Sequence, residues 1–202
     1  MFGCGRPTTA AARKGLNRLY CRRHEDHFER HGSYVKRSYG AGELRPYRVR
    51  AMRWLQANCD DQSVRHAANA IQRLYGSAGA LIEAFRLAGK PPAERAKATW
   101  AQLRERQVDP LAVLAAWLAI DMRMRDDPQT DRREEFRHVQ VAKLVHRMAG
   151  GTHKRWEQER PDGLVKVTEL HKHPASRGRV LRLVGRAITR ACDAVCAAAA
   201  SS

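Results

Sequence analysis

The run Leu111–Ile120, LAVLAAWLAI, is apolar on every side of a helix, so a chain that contains it must wrap other elements around it. Asp109 and Pro110 set its start as N-cap and first-turn proline. Its ten apolar residues fall short of the roughly 20 that cross a bilayer, which makes it the central helix of a packed domain. The rest of the chain supplies the wrapping. Pro46 sits in the first turn of a helix that reaches Asn58 with Met52 and Leu55 inward. Asp60 or Asp61 caps a second helix, in which Val64, Ala67, Ala68, Ile71, Leu74 and Tyr75 recur at helical spacing up to Gly76. A short helix over Ala78–Leu87 ends at Gly89, and Pro91 and Pro92 open another that contains Trp100 and Leu103. Beyond the Asp126-Asp127-Pro128 break, a charged start at Asp131–Glu135 leads into Val141, Leu144, Val145 and Met148, closed by Gly150 and Gly151. Ser176 caps a last helix running toward Ala197, with Leu181, Val184, Ile188, Ala191 and Val195 on one face. Gly163–Leu170 alternates as one short strand or an extended arm without a partner. The expected fold is an all-α multi-helix bundle of about seven helices.

Ahead of that bundle lies a segment of different composition. Cys4 and Cys21 lead into a run of Cys21, His24, His27 and His31, and thiols and imidazoles at such density suit a small structural zinc site. Cys21 and His24 have the Cys-x2-His spacing that points two ligands at one ion from the start of a helix. His31 stands about 10.5 Å further along such a helix than His24, whereas His27 is one turn away. Cys4, Cys21, His24 and His27 therefore form one workable tetrahedral set. The expected division is a zinc-binding basic module over residues 1–42 and a helical domain over residues 43–202.

The run Gly3-Cys4-Gly5-Arg6-Pro7, then Gly15-Leu16, Cys21-x2-His24 and His31-Gly32, resembles the small zinc module of bacteriophage HNH-type homing endonucleases and related phage DNA-associated proteins. In that family a Cys-x4-Cys pair, a Gly-Leu-Cys-x2-His segment and a basic helix closing in His-Gly follow one another. The resemblance covers residues 3–32. The family's first cysteine would fall just before Met1, and four additional residues separate Gly15-Leu16 from Cys21. The fourth ligand thus falls to His27, to His31 or to a group upstream of Met1. The resemblance implies a DNA-associated module and does not by itself imply cleavage.

The formal net charge of +17 points the same way, because a large cationic excess is the footprint of a polyanionic partner. The excess is greatest at the ends: residues 1–60 carry 13 basic and 5 acidic side chains. Arg13, Lys14, Arg22, Arg23 and Arg30 surround the zinc ligands, followed by Lys36, Arg37, Arg45, Arg48 and Arg53, with Tyr34 and Tyr39 interleaved to pack on sugar or base. On the last helix Arg179, Arg182, Arg186 and Arg190 form a stripe opposite the apolar face.

Other chemistry is thinner. An HNH reaction needs histidines on a ββα hairpin around a divalent ion, and no such hairpin is legible; His153, His171 and His173 read as loop residues, and Glu135, His138 and His146 as helix-surface residues. Cys192 and Cys196 share a helix face as two small core side chains. Five cysteines without a framework spacing suit reduced thiols, and the N-terminus lacks the apolar core of a signal peptide, so a cytoplasmic setting is expected. The leading expectation is a non-enzymatic nucleic-acid-binding protein, for DNA, with structural zinc. The alternatives are a metal-dependent phage-type nuclease and a helical adaptor that binds protein through residues 61–150.

Overall fold

The helix that starts at Pro110 runs to Asp126 and forms the axis around which the others pack. Asp109 caps it by accepting from the Leu111 N–H, and every residue from Val113 to Asp121 is buried. The computed structural model describes residues 4–127, 133–159, 161, 163–172 and 178–200. In chain order it holds α1 (Arg22–His31), α2 (Ala41–Ala57), α3 (Gln62–Gly76), a single 3-10 turn (Ala84–Leu87), α4 (Pro92–Glu105), α5 (Pro110–Asp126), α6 (Arg133–Ala149), β1 (Thr152–Glu159), β2 (Val165–Lys172) and α7 (Arg179–Ala200). Among the described residues, seven helices and one two-stranded ribbon make this an all-α bundle. Pro128, Asp131, His173 and Ser176 lie outside the described residues, as do the side chains of His153, His171 and Cys196.

α5 touches α2, α3, α6 and α7, while α7 also packs on α3 and α4. Trp117, Leu114, Leu118 and Ile120 of α5 meet Ile71 and Tyr75 of α3, Phe136 of α6 and Ile188 of α7 in one continuous core. Trp117 directs its indole N–H at Thr189 Oγ1, 3.4 Å away on α7. α6 and α7 approach closely: a Cβ on Gly185 would lie 2.2 Å from the His138 carbonyl oxygen. That position admits only hydrogen.

Three local expectations are corrected. α2 begins at Ala41, so Pro46 lies inside the helix and not in its first turn. The earlier start is fixed by Glu43, whose Oε2 accepts from the Gly40 N–H at 2.5 Å, and the carbonyl that proline leaves unbonded belongs to exposed Gly42. The expected module boundary at residue 42 therefore falls within the first turn of α2. The segment Ala78–Leu87 forms only the 3-10 turn, because Gly79 takes a φ of 77° at its start. The alternating stretch at 163–170 is not partnerless: it is β2, paired antiparallel with β1 from Thr152↔Lys172 to Glu159↔Val165. Charged β1, THKRWEQE, hides from a hydrophobic-periodicity reading because neither of its faces is buried.

Candidate metal centre and cationic surface

Residues 4–39 form a knob held by α6 and α7. Thr9, fully buried, anchors its irregular loop: its backbone N–H donates to Tyr20 O at 2.9 Å, and its Oγ1 accepts from the Asn17 N–H at 3.1 Å. Asn17 Oδ1 accepts from the Leu19 and Tyr20 N–H groups, which turns the chain into α1. Tyr20, Tyr34 and Phe28 then stack face to face, with centroids 3.5 and 4.5 Å apart. Tyr34 is thereby occupied inside the knob. Tyr39 is also buried, edge-on to Phe136 with Arg123 4.8 Å above it, and burial pushes its hydroxyl up to about 12. The two tyrosines expected to meet sugar or base instead build the joint.

Within this frame Cys4 Sγ lies 3.6 Å from Cys21 Sγ, and Cys21 Sγ lies 3.2 Å from His24 Nδ1. The three ligand atoms all fall within 4.8 Å of one another, the only such group among the described residues. A tetrahedral ion with metal–sulfur bonds near 2.3 Å would hold S···S at about 3.8 Å and S···N at about 3.5 Å, so the donor set fits a bound metal closely. The Cys21 thiol is held below its ordinary value, first by the His24 backbone N–H that bonds it, against the effect of burial.

His27, expected as the fourth ligand, stands outside this group. Its Nδ1 donates to the Ser33 carbonyl oxygen at 2.8 Å, an interaction that turns the ring toward the knob's base. His31 does not join either. The Ser38 N–H donates to His31 Nδ1 at 2.9 Å, and the Ser38 hydroxyl, 2.9 Å from the same nitrogen, accepts from Lys143 Nζ at 2.6 Å and from Gln140 Nε2 at 3.2 Å. Gln140, buried on the apolar face of α6, also donates to His31 O and accepts from the Tyr39 N–H. Gly32 completes the joint: it ends α1 at a φ of 76°, and a Cβ there would come within 2.5 Å of Glu135 O. The His-Gly pair is thus a helix terminus pressed against α6.

The His31 joint has a pH consequence. Burial first, then the Lys143, His27 and Arg30 charges, lower its imidazole to about 4 from an ordinary 6.5. Between those values the unfolded chain binds a proton that the folded chain refuses, so the stability present above pH 6.5 is lost as pH falls to about 4. Thermal melts of His31→Asn, whose amide oxygen can take the Ser38 N–H, are expected to show a shallower pH dependence in that window, the remainder belonging to His138, whose imidazole burial also lowers.

The cations divide into two classes. Arg6, Lys14, Arg22 and Arg23 line a concavity of about 190 Å³ beside Cys21; of these Arg22 pairs with Asp26 at 3.2 Å. Arg13, with a φ of 53°, Arg30 and Arg37 are exposed, and none has an acidic partner among the described residues. On the outer side of α2, Arg45, Arg50 and Arg53 flank Pro46 and Val49 in a groove of about 540 Å³, and Arg45 and Arg48 flank Val49 and Met52 in a second of about 650 Å³ floored by Ala112 and Ala115 of α5. These four arginines also lack an acidic partner among the described residues. Arg6 and Arg50 were missing from the expected surface, although helical spacing places Arg50 on the same helix as Arg45 and Arg53.

The second class is spent inside the protein. Lys36 is ion-paired with Asp127. The α7 stripe is corrected most: Arg182 is buried, its Nε bonded to Glu135 at 2.7 Å, its NH1 3.4 Å from Glu29 and its guanidinium 4.6 Å above Phe28. Arg186 meets the other Glu135 oxygen at 2.6 Å, which leaves Arg179 and Arg190 as the other exposed members of the stripe. Glu135, expected as an ordinary surface residue, is the acid both guanidiniums require. Burial pushes its carboxyl upward, but the Arg186 and Arg182 hydrogen bonds outweigh it and hold the group below the ordinary range.

The ribbon and α7 follow one another in ββα order, so the hairpin not legible in the sequence exists. The helix after it, RVLRLVGRAITRACDAVCAAAA, carries no histidine or asparagine to face a metal held by the strands. Among the described residues no helix is long and apolar enough to cross a membrane. Comparison with family models, with curated proteins and with solved structures returned no match.

Proposed function

We propose that this protein binds nucleic acid, duplex DNA in the first instance, through a knob ordered by zinc at Cys4, Cys21 and His24 and through the arginine face of α2. The observation that carries the reading is the series of exposed cations without acidic partners, from Arg6, Arg13 and Lys14 through Arg23, Arg30 and Arg37 to Arg45, Arg48, Arg50 and Arg53. Lys36, Arg123, Arg125, Arg182 and Arg186 are paired with acids, whereas residues 1–60 carry 13 basic and only 5 acidic side chains, which makes the N-terminal part the densest source of free cations. Such a surface gains from counterion release at each phosphate it meets. The resemblance of residues 3–32 to phage DNA-associated modules supports the same reading. Zinc is the metal of choice because two thiolates and an imidazole are its preferred structural ligands, and their reduced state suits a cytoplasmic protein.

Anisotropy titration of labelled duplex tests this reading: affinity should fall linearly on a log–log plot against salt, with a slope of about −0.9 for each phosphate engaged. Tight binding that ignores salt, or none at low salt, overturns it. The metal is tested separately. Purified protein should contain one equivalent of zinc, and cobalt substitution should give thiolate-to-metal absorption that Cys21→Ser abolishes. Retention of stoichiometric metal by Cys21→Ser would sink the assignment.

A further inference from the structure

Among the described residues, the ribbon formed by β1 and β2 belongs to neither the core nor the cationic grooves. Every described side chain of β1 from Lys154 to Glu159 is exposed, as are Val165, Lys166 and Val167 on β2. Its tie to the bundle is at one end, where Lys154 pairs with Glu83 and lies 5.0 Å from the Phe85 ring. Two strands with no third strand among the described residues are marginal in water, and an open edge is a template for another strand.

The β1 edge also differs electrically from its surroundings. In a chain of net charge +17, its Lys154 and Arg155 are balanced by Glu157 and Glu159. Copies of this polycation repel each other almost everywhere else. Glu157 faces Val167 across the ribbon and has no basic partner among the described residues, and Arg155 reaches Glu169 only at 4.0 Å. Both charges remain available to another chain.

From this we infer that a second copy of the chain docks on β1, antiparallel, about a two-fold axis at Trp156, and so builds a four-stranded sheet in the order β2-β1-β1-β2. A two-fold axis normal to the sheet keeps each residue on its own face, so position 156−k meets position 156+k. Arg155 then lies opposite Glu157 of the second copy, twice, Lys154 opposite Gln158, and Trp156, 39% exposed in the single chain, opposite its counterpart. Moving the axis one residue either way sets Arg155 against Arg155 or Glu157 against Glu157. Charge therefore selects the register. The β2 edge offers nothing comparable: an axis at Val167 sets Lys166 against Thr168 and Val165 against Glu169. The inference is independent of nucleic-acid binding.

Sedimentation of the full metal-loaded chain, freed of nucleic acid and in moderate salt, should show a monomer–dimer equilibrium that shifts with concentration. Glu157→Arg sets Arg155 against a second arginine and should abolish the dimer. The pair Arg155→Glu with Glu169→Arg keeps the internal ion pair with its signs exchanged, sets two glutamates face to face and should also abolish it. An equimolar mixture of these two proteins restores both ion pairs and should dimerise as the parent does, with circular dichroism and melting of each variant matching the parent. A parent that stays monomeric, a dimer that either variant retains, or two folded variants that do not associate on mixing each overturn the inference.

Discussion

Replacing Glu135 with alanine is expected to cost about 3 kcal/mol of unfolding free energy. Arg182 would keep its place between α1, α6 and α7 with the neutral Phe28 carbonyl oxygen at 3.2 Å and one carboxylate, Glu29 at 3.4 Å, which is 56% exposed. A guanidinium buried with so little compensation is costly, whereas a Glu135→Leu, Arg182→Met pair removes both charges and is expected to be close to neutral. The pH profile separates this network from simple packing. The Glu135 carboxyl is depressed in the folded state, so its contribution is whole above the ordinary glutamate value of 4.5 and drains away as pH falls through the lower folded value. Urea unfolding of the parent should show that loss and Glu135→Ala should not. A single variant within about 1 kcal/mol of the parent would mean that the pair behaves as an exposed one.

Exchange of Arg45, Arg48 and Arg53 for alanine is expected to lower duplex affinity by two to three orders of magnitude. Each phosphate contact adds about 0.9 to the salt slope, hence about 0.9 logarithmic units of affinity at roughly 0.1 M salt, and three contacts are removed together. The slope should become shallower by about 3. All three side chains are exposed around the α2 grooves, so the fold should persist. Arg186→Ala is the informative contrast: its guanidinium faces Glu135 at 2.6 Å, and its removal should leave the slope unchanged. A triple variant that loses less than tenfold with the parental slope would remove α2 from the binding surface.

Much of the architecture was legible because it is written in local chemistry. Asp109 with Pro110, Asp61 ahead of Val64, and the all-round apolar Leu111–Ile120 announce caps and burial that depend on neighbours in sequence alone. The proximity of Cys4, Cys21 and His24 was legible too, since the Cys-x2-His spacing brings two ligands together on any helix start. What escaped was β1, whose open faces leave no hydrophobic rhythm, and the roles of Thr9, Ser38 and Gln140. For Gln140 a signal existed: a polar residue set among Phe136, Val139, Val141 and Leu144 on a buried helix face must find partners there.

By itself, then, the sequence determined the helices, their inward faces, the grouping of thiol and imidazole, and the size of the cationic excess, all of which follow from residue type and short-range spacing. Only the tertiary structure decided which cations are free. Helical periodicity places Arg179, Arg182, Arg186 and Arg190 on one face but is blind to what that face meets; Glu135 and Glu29, more than forty residues away or more, neutralise two of them. Likewise it turned His27 and His31 away from the Cys4, Cys21 and His24 group toward Ser33 and Ser38. The reason is that a charge or a lone pair is satisfied by whatever the fold brings within hydrogen-bond reach, and that distance in space has no counterpart in distance along the chain.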